Sequence, residues 1–158
     1  MRSDILVLAI GNDIIRDDGT AFEAAKLLKE QFQAYADFEE VFGGGLEILD
    51  FLEGRIKTLV LDTISTGQYP IGTVLEFEKD DFEYINTSSP HYVGLPEVIK
   101  LSSIFEIDFP QEIKILAIET EIHNEISEGL SPEIQDKLPF FIQRAADILN
   151  SWLNIESS

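Results

Sequence analysis

The feature that most constrains the fold is the alternation of short apolar runs with helical patterns along the chain. Three runs, Ile5 to Ile10, Lys57 to Asp62 and Ile113 to Ile118, have the length and the Val, Ile and Leu content of strands buried on both faces. Strands that alternate with helices form a largely parallel sheet, because right-handed crossovers place the helices against it. The pattern therefore predicts a three-layer α/β/α sandwich: a mostly parallel five-stranded sheet with helices on both faces.

Weaker patterns supply the other elements. Apolar residues recur at three- and four-residue spacing up to Phe32, which predicts an amphipathic helix that begins near Thr20. Ser131 followed by Pro132 is typical of a helix start, and that helix is predicted to run through Leu153. The remaining predictions are two less apolar strands, Phe38 to Phe42 and Thr73 to Phe77, and helices over Leu46 to Leu52 and Leu95 to Phe105.

Length and composition are those of one globular domain. The chain has 158 residues, 44% of them hydrophobic, and no linker or repeat divides it, so a single domain is predicted over residues 1–158. Its core is predicted to include Phe140, Phe141 and Trp152. No apolar run approaches the roughly 20 residues that cross a bilayer. The absence of cysteine excludes disulfides and thiolate metal sites and favours a cytoplasmic location.

The charge balance bears on the choice of partner. Thirty acidic and eleven basic residues give a formal charge of −19. Such a field repels phosphate backbones and anionic membrane surfaces, and the sequence contains no local basic patch to offset it. We therefore predict no nucleic-acid partner and no membrane partner. The same field attracts cations or a basic protein segment.

Acidic residues and one histidine follow the predicted strands. Asp17 and Asp18 lie in the loop after the first strand, Asp62 ends the third, and His91 precedes a predicted helix. Ligands of open α/β sheets bind where parallel strands end, so these side chains are expected to converge. Carboxylates and an imidazole form a donor set for a divalent ion such as Zn²⁺ or Ni²⁺. Each residue also has a structural interpretation: turn residues near a helix N-terminus, a cap of the next turn, and a solvated loop histidine.

Three motifs resemble those of one known family. They are Ala9-Ile10-Gly11-Asn12 followed by Asp17-Asp18-Gly19, the strand end Leu59-Val60-Leu61-Asp62, and Ser88-Ser89-Pro90-His91-Tyr92-Val93-Gly94-Leu95. Their order and spacing are similar to those of the hydrogenase maturation endopeptidases over nearly the whole chain. These proteases process the large subunit of nickel-iron hydrogenases. Two departures are Ala9, where the family usually has glycine, and Asp13, where it commonly has an apolar residue.

The resemblance implies an endopeptidase that removes a C-terminal extension from a nickel-iron hydrogenase large-subunit precursor after nickel insertion. By match with the family, the catalytic and metal-binding residues are Asp18, Asp62 and His91, with Asp17 as the alternative in the first loop. The implied metal is a divalent ion, either the nickel of the substrate or an ion of the enzyme, for which zinc or cadmium can substitute. Whether a metal-activated water cuts the bond or a carboxylate assists, as in an aspartic-type endopeptidase, stays open.

Two other functions stay open at this point. A phosphoacceptor receiver-like signalling domain also places paired acids after its first strand and an aspartate after its third. It carries a lysine after strand five, however, where this chain has Ile118-Glu119-Thr120. A non-catalytic nickel metallochaperone would keep the metal site and cleave nothing. The second histidine, His123, follows the fifth strand and is interpreted as a solvated loop residue that overhangs the same crevice at most.

Overall fold

Five strands and three helices make up the part of the chain that the structure describes. This computed structural model describes residues 3–11, 17, 19–42, 47–78, 81, 104, 108–121 and 129–154. In chain order the elements are β1 (Ile5–Gly11), α1 (Thr20–Phe32), β2 (Asp37–Phe42), α2 (Glu47–Leu52), β3 (Lys57–Ile64), β4 (Val74–Glu78), β5 (Glu112–Glu119) and α3 (Pro132–Leu153). The predicted helix over Leu95 to Phe105 lies outside the described residues, apart from Ile104.

The strands form one sheet in the order β2-β1-β3-β5-β4. The first four strands in this order are parallel, and β4 pairs antiparallel with β5 at one edge. The connection from β3 to β4, residues 65–73, explains the reversal. This connection is shorter than the dozen or more residues that a parallel crossover needs. The chain therefore reverses direction beyond the carboxyl end of β3, and β4 runs antiparallel to the other strands. The mostly parallel five-stranded sheet is thus confirmed.

Side chains of the central strands alternate between two apolar layers. Val7 and Ala9 of β1 pack with α1 and α3 on one face, whereas Leu8 and Ile10 pack with α2 on the other. All seven residues of β1 are buried, as expected of a central parallel strand covered on both faces. The predicted arrangement of helices on both faces is confirmed. None of the described helices combines the length and the apolar character that crossing a bilayer requires.

Two predictions about individual elements are wrong. β3 does not end at Asp62 but continues through Thr63 and Ile64, because these β-branched residues pair with β5. Phe140 is not in the core: its side chain is 55% exposed, whereas Phe141 is fully buried. Successive residues of a helix point about 100° apart, and here Phe141 points into the core whereas Phe140 points toward solvent.

An ion pair between Arg55 and Asp37 lies at the end of the sheet where the parallel strands begin. Arg55 is buried, and its Nη1 donates to the Ser3 carbonyl at 2.7 Å and to Oδ2 of Asp37 at 2.5 Å. The backbone N–H of Ser3 donates to the same carboxylate oxygen at 2.8 Å. The hydrogen bond from Arg55 lowers the pKa of Asp37 below its ordinary value, although partial burial opposes this shift. These contacts tie the first strand, β2 and the turn before β3 together.

Candidate active site

Asp62 lies in the central strand β3, close to the carboxyl ends of the parallel strands. It is fully buried and pairs with Ala117 of β5, and the preceding Leu61 pairs with Ala9 of β1. Oδ1 of Asp62 accepts a hydrogen bond from the backbone N–H of Thr63 at 2.7 Å. This bond limits the rotation of the carboxylate. The third strand thus carries a fixed acidic group between its two neighbours, as the predicted position of the site requires.

Asp17 lies in the β1–α1 loop and is almost completely buried, at 1% exposure. Its backbone is in the left-handed region, with φ of 67°. Oδ1 accepts a hydrogen bond from the backbone N–H of Ser131 at 2.5 Å, and its own N–H donates to the Gly129 carbonyl at 3.2 Å. Its carbonyl accepts from the hydroxyl of Thr20 at 2.5 Å and from the N–H of that residue at 3.2 Å. Asp17 therefore joins the first loop to the starts of α1 and α3.

Glu119, the last residue of β5, is a buried acid that the sequence interpretation did not select. It is 1% exposed, and its carboxylate accepts hydrogen bonds from the backbone N–H of Thr66 at 2.8 Å and from the hydroxyl of Thr66. Its backbone N–H donates to Thr73, and its carbonyl accepts from Gly72. Glu119 thus holds the connection between β3 and β4. The signal that selected Asp62, an acid after an apolar strand, was also present here and could have identified it.

Of the predicted triad, the structure describes Asp62 alone. Asp18 and His91 lie outside the described residues, and so does His123. Within the residues that the structure does describe, no three acidic or histidine side chains come together as a metal-binding group. The convergence of Asp18, Asp62 and His91 stays a prediction.

Comparison with known proteins shows the family. The model of the hydrogenase maturation protease family matches residues 23–148, well over half of the chain. The chain belongs to the hydrogenase maturation protease family. It is therefore a peptidase, and membership of this family decides against the receiver-like signalling domain. The hydrogenase expression/formation protein HupD of Thiocapsa roseopersicina is 27% identical over 94% of this chain and 70% of its own length. The corresponding protein HoxM of Azotobacter vinelandii is 24% identical over 89% of this chain and 73% of its own length.

Solved structures share the fold. The hydrogenase maturating endopeptidase HybD of Escherichia coli aligns with a TM-score of 0.81 at 22% identity, over 96% of this chain and 93% of the other. HybD of Thermococcus kodakarensis, a [NiFe] hydrogenase maturation protease, aligns with a TM-score of 0.75 at 24% identity, over 94% and 99% of the two chains. The three-layer architecture described above is thus that of known maturation endopeptidases.

Proposed function

We propose that this hydrogenase maturation protease removes a C-terminal extension from the large-subunit precursor of a nickel-iron hydrogenase after nickel has been inserted. The family match over residues 23–148 carries the proposal, because it defines the chain as a protease of hydrogenase maturation. The names of HupD and HoxM, hydrogenase expression/formation proteins, support a hydrogenase precursor as the partner.

Asp18, Asp62 and His91 are proposed to bind the nickel of the precursor, or another divalent ion. Binding of the precursor's nickel would restrict cleavage to precursor that already contains the metal. The position of the buried Asp62, near the carboxyl ends of the neighbouring strands β1 and β3, supports a metal site there. Asp18 is preferred to Asp17 by match with the family, and the Asp17 carboxylate already holds the start of α3 through the Ser131 N–H. With no cysteine in the chain, the donors are carboxylate and imidazole groups. These groups suit nickel, and they suit zinc as a substitute.

The chain contributes orientation and exclusion of water to the proposed cleavage. The Thr63 N–H holds Oδ1 of Asp62, so this carboxylate does not have to reorganise when substrate binds. Complete burial of Asp62 keeps bulk water from competing for its oxygens. When bound, a divalent ion supplies a Lewis acid for the scissile carbonyl or lowers the pKa of an attacking water.

The proposed dependence of cleavage on nickel is tested with two forms of one precursor. The purified protease is mixed with nickel-loaded and with nickel-free large-subunit precursor from the same organism, and the mass of the large subunit is followed with time. We expect the loaded form to lose its C-terminal extension and the nickel-free form to stay intact. Equal processing of both forms contradicts this dependence on nickel. Absence of processing of either form contradicts the proposed substrate.

The chain contains two histidines, and they form a matched pair of variants. We expect His91→Ala to lower the rate of processing by at least about 100-fold, since removal of a ligand should exceed the 10- to 100-fold loss that follows removal of a group supporting one. His123→Ala is expected to process at nearly the wild-type rate. Thermal unfolding of both variants establishes that they are folded. A full rate for His91→Ala removes this residue from the proposed site.

A further inference from the structure

Asp17 connects three segments of the chain next to the proposed ligand Asp18. Its backbone N–H reaches Gly129, its carboxylate holds Ser131, and its carbonyl holds Thr20 at the first turn of α1. The segments that enter α1 and α3 are therefore joined through one residue. Movement of either segment must move Asp17 or break one of these hydrogen bonds.

The conformation of Asp17 indicates that its surroundings hold it in place. A φ of 67° is uncommon for residues other than glycine, and aspartate is among the few that tolerate it. A buried residue keeps such a conformation only where the surrounding structure determines it. Asp17 meets this condition, because its N–H, its carbonyl and its side chain each take part in a hydrogen bond.

The start of α3 depends on Asp17 for a cap. Ser131 occupies the N-cap position, but its side chain makes no cap hydrogen bond, and its hydroxyl has no partner among the residues that the structure describes. The Asp17 carboxylate accepts the Ser131 N–H instead, from 114 positions away in the sequence. A carboxylate in this place also interacts favourably with the positive end of the helix dipole. The start of α3 and the first loop therefore stabilise each other.

We infer that Asp17 is a positioning residue of the proposed metal site, an inference that rests on the proposed function. Asp17 and Gly19 are the chain neighbours of Asp18, and both are held: Gly19 accepts the first hydrogen bond of α1, from the Glu23 N–H. Asp18 lies between these two residues in the sequence, and consecutive Cα atoms are about 3.8 Å apart, so Asp17 and Gly19 fix the points from which the first loop extends. Asp17 thus prepares the first loop for metal binding without being a ligand.

Two substitutions at this position separate the hydrogen bond from the backbone conformation. Asp17→Gly tolerates the left-handed φ but has no acceptor for the Ser131 N–H, whereas Asp17→Asn tolerates the conformation and keeps an acceptor oxygen. We expect Asp17→Gly to bind Ni²⁺ 10- to 100-fold more weakly, measured by isothermal titration calorimetry. Its kcat on the precursor should fall by a similar factor while KM changes little. Asp17→Asn should stay within about threefold of the wild type in both measurements.

A control separates positioning from general destabilisation. Asp37→Asn weakens the ion pair with Arg55, at the opposite end of the parallel strands, and is expected to keep wild-type affinity for Ni²⁺. Thermal unfolding of every variant gives the temperature range in which it is folded, and binding is measured within that range. Weaker binding by Asp37→Asn, at a temperature where this variant is folded, contradicts a role specific to Asp17.

The outcomes distinguish this inference from the proposed function. Wild-type affinity and wild-type kcat in Asp17→Gly overturn the positioning role, and so does an Asp17→Asn variant that loses Ni²⁺ as completely as Asp17→Gly, since a ligand would behave that way. A wild-type protein that binds no Ni²⁺, or an Asp62→Asn variant that binds it unchanged, overturns the proposed metal site. In that case the kcat of Asp17→Gly on the precursor still decides whether Asp17 positions the active site.

Discussion

Three buried carboxylates show how this chain uses a few of its thirty acidic residues inside the fold. Asp17, Asp62 and Glu119 are each at most 1% exposed, and each accepts a hydrogen bond from a backbone N–H group. Burial of a carboxylate without such partners costs several kcal/mol. The donors belong to residue 131, residue 63 and residue 66 respectively. Only the second of these is a sequence neighbour of its acid, so the sequence could not reveal the other two.

The ion pair between Asp37 and Arg55 predicts a pH dependence of stability. The hydrogen bond from Arg55 lowers the pKa of Asp37 in the folded state, so the pair stabilises the fold above the ordinary carboxyl pKa of about 4. That contribution is lost as the pH falls through the lowered folded-state pKa. We expect Asp37→Asn to lower the free energy of unfolding by about 1 kcal/mol at pH 7, a value reduced for the partial exposure of Asp37. Urea unfolding from pH 7 to pH 3 measures the difference.

The control for this prediction is the exposed neighbour Asp4. Asp4→Asn removes one carboxylate from the same end of the sheet and leaves Arg55 and Asp37 paired. Its effect on the free energy of unfolding should be within about 0.5 kcal/mol at either pH. A deficit of Asp37→Asn that stays constant as the pH falls, or that equals the effect of Asp4→Asn, contradicts the assigned cause.

At the scale of elements, the connection between β3 and β4 organises one edge of the sheet. Residues 65–73 pass over the end of β5, where Glu119 binds Thr66 with its side chain and Gly72 and Thr73 with its backbone. β4 then returns antiparallel along β5. The apolar pattern predicted both strands, but the direction of β4 follows from the length of this connection.

Two glycines of this connection differ in their surroundings, and this difference predicts different costs of substitution. Both have positive φ, 72° for Gly67 and 93° for Gly72. A Cβ on Gly72 would lie 2.6 Å from Cγ of Lys137 in α3, whereas no described atom lies within 4 Å of a Cβ on Gly67. We expect Gly67→Ala to lower the free energy of unfolding by about 1 kcal/mol, from backbone strain alone. Gly72→Ala should lower it by about 3 kcal/mol, because overpacking adds to that strain.

Urea unfolding of both variants measures these costs. Gly67→Ala is the matched control, since it changes the same residue type in the same connection without a new contact. Equal losses in the two variants would mean that Lys137 moves aside freely.

At the scale of the whole molecule, the large negative net charge affects the stability of the folded state. A formal charge of −19 on 158 residues favours solubility, but mutual repulsion destabilises the folded state. Salt screens this repulsion, with a screening length of about 10 Å at 0.1 M. The same charge attracts cations and basic segments of a protein partner over longer distances when the ionic strength is low.

Self-repulsion predicts that salt stabilises this protein. We expect a rise from 10 to 300 mM NaCl at pH 7 to increase Tm by about 3 °C, which corresponds to about 1 kcal/mol for a chain of this length. Thermal unfolding followed by circular dichroism measures the change. The control is the same experiment near pH 4.2, the isoelectric point of the sequence, where the repulsion disappears and Tm should not rise. An equal rise at both pH values indicates a salt effect unrelated to net charge.

The sequence by itself determined the elements and their layers. Apolar spacing located β1 and α1 to within about one residue, because burial on one or both faces leaves a local periodic signal. The Ser131-Pro132 pair located the start of α3 equally well, because serine and proline are favoured at the first positions of a helix. The sequence also predicted that Asp62 lies toward the carboxyl end of a parallel strand, although β3 continues two residues beyond it. The convergence of Asp18, Asp62 and His91 stays a prediction.

Only the tertiary structure decided what the individual acids do. Asp17 and Asp18 are adjacent and chemically identical in the sequence, and no local pattern tells that Asp17 caps a helix 114 positions away. The same holds for Glu119, whose partner Thr66 lies 53 positions from it. Local periodicity records which side of an element is buried. Which polar groups meet is decided only when the packed elements bring distant segments together, because a buried carboxylate must then find donors wherever the fold places them.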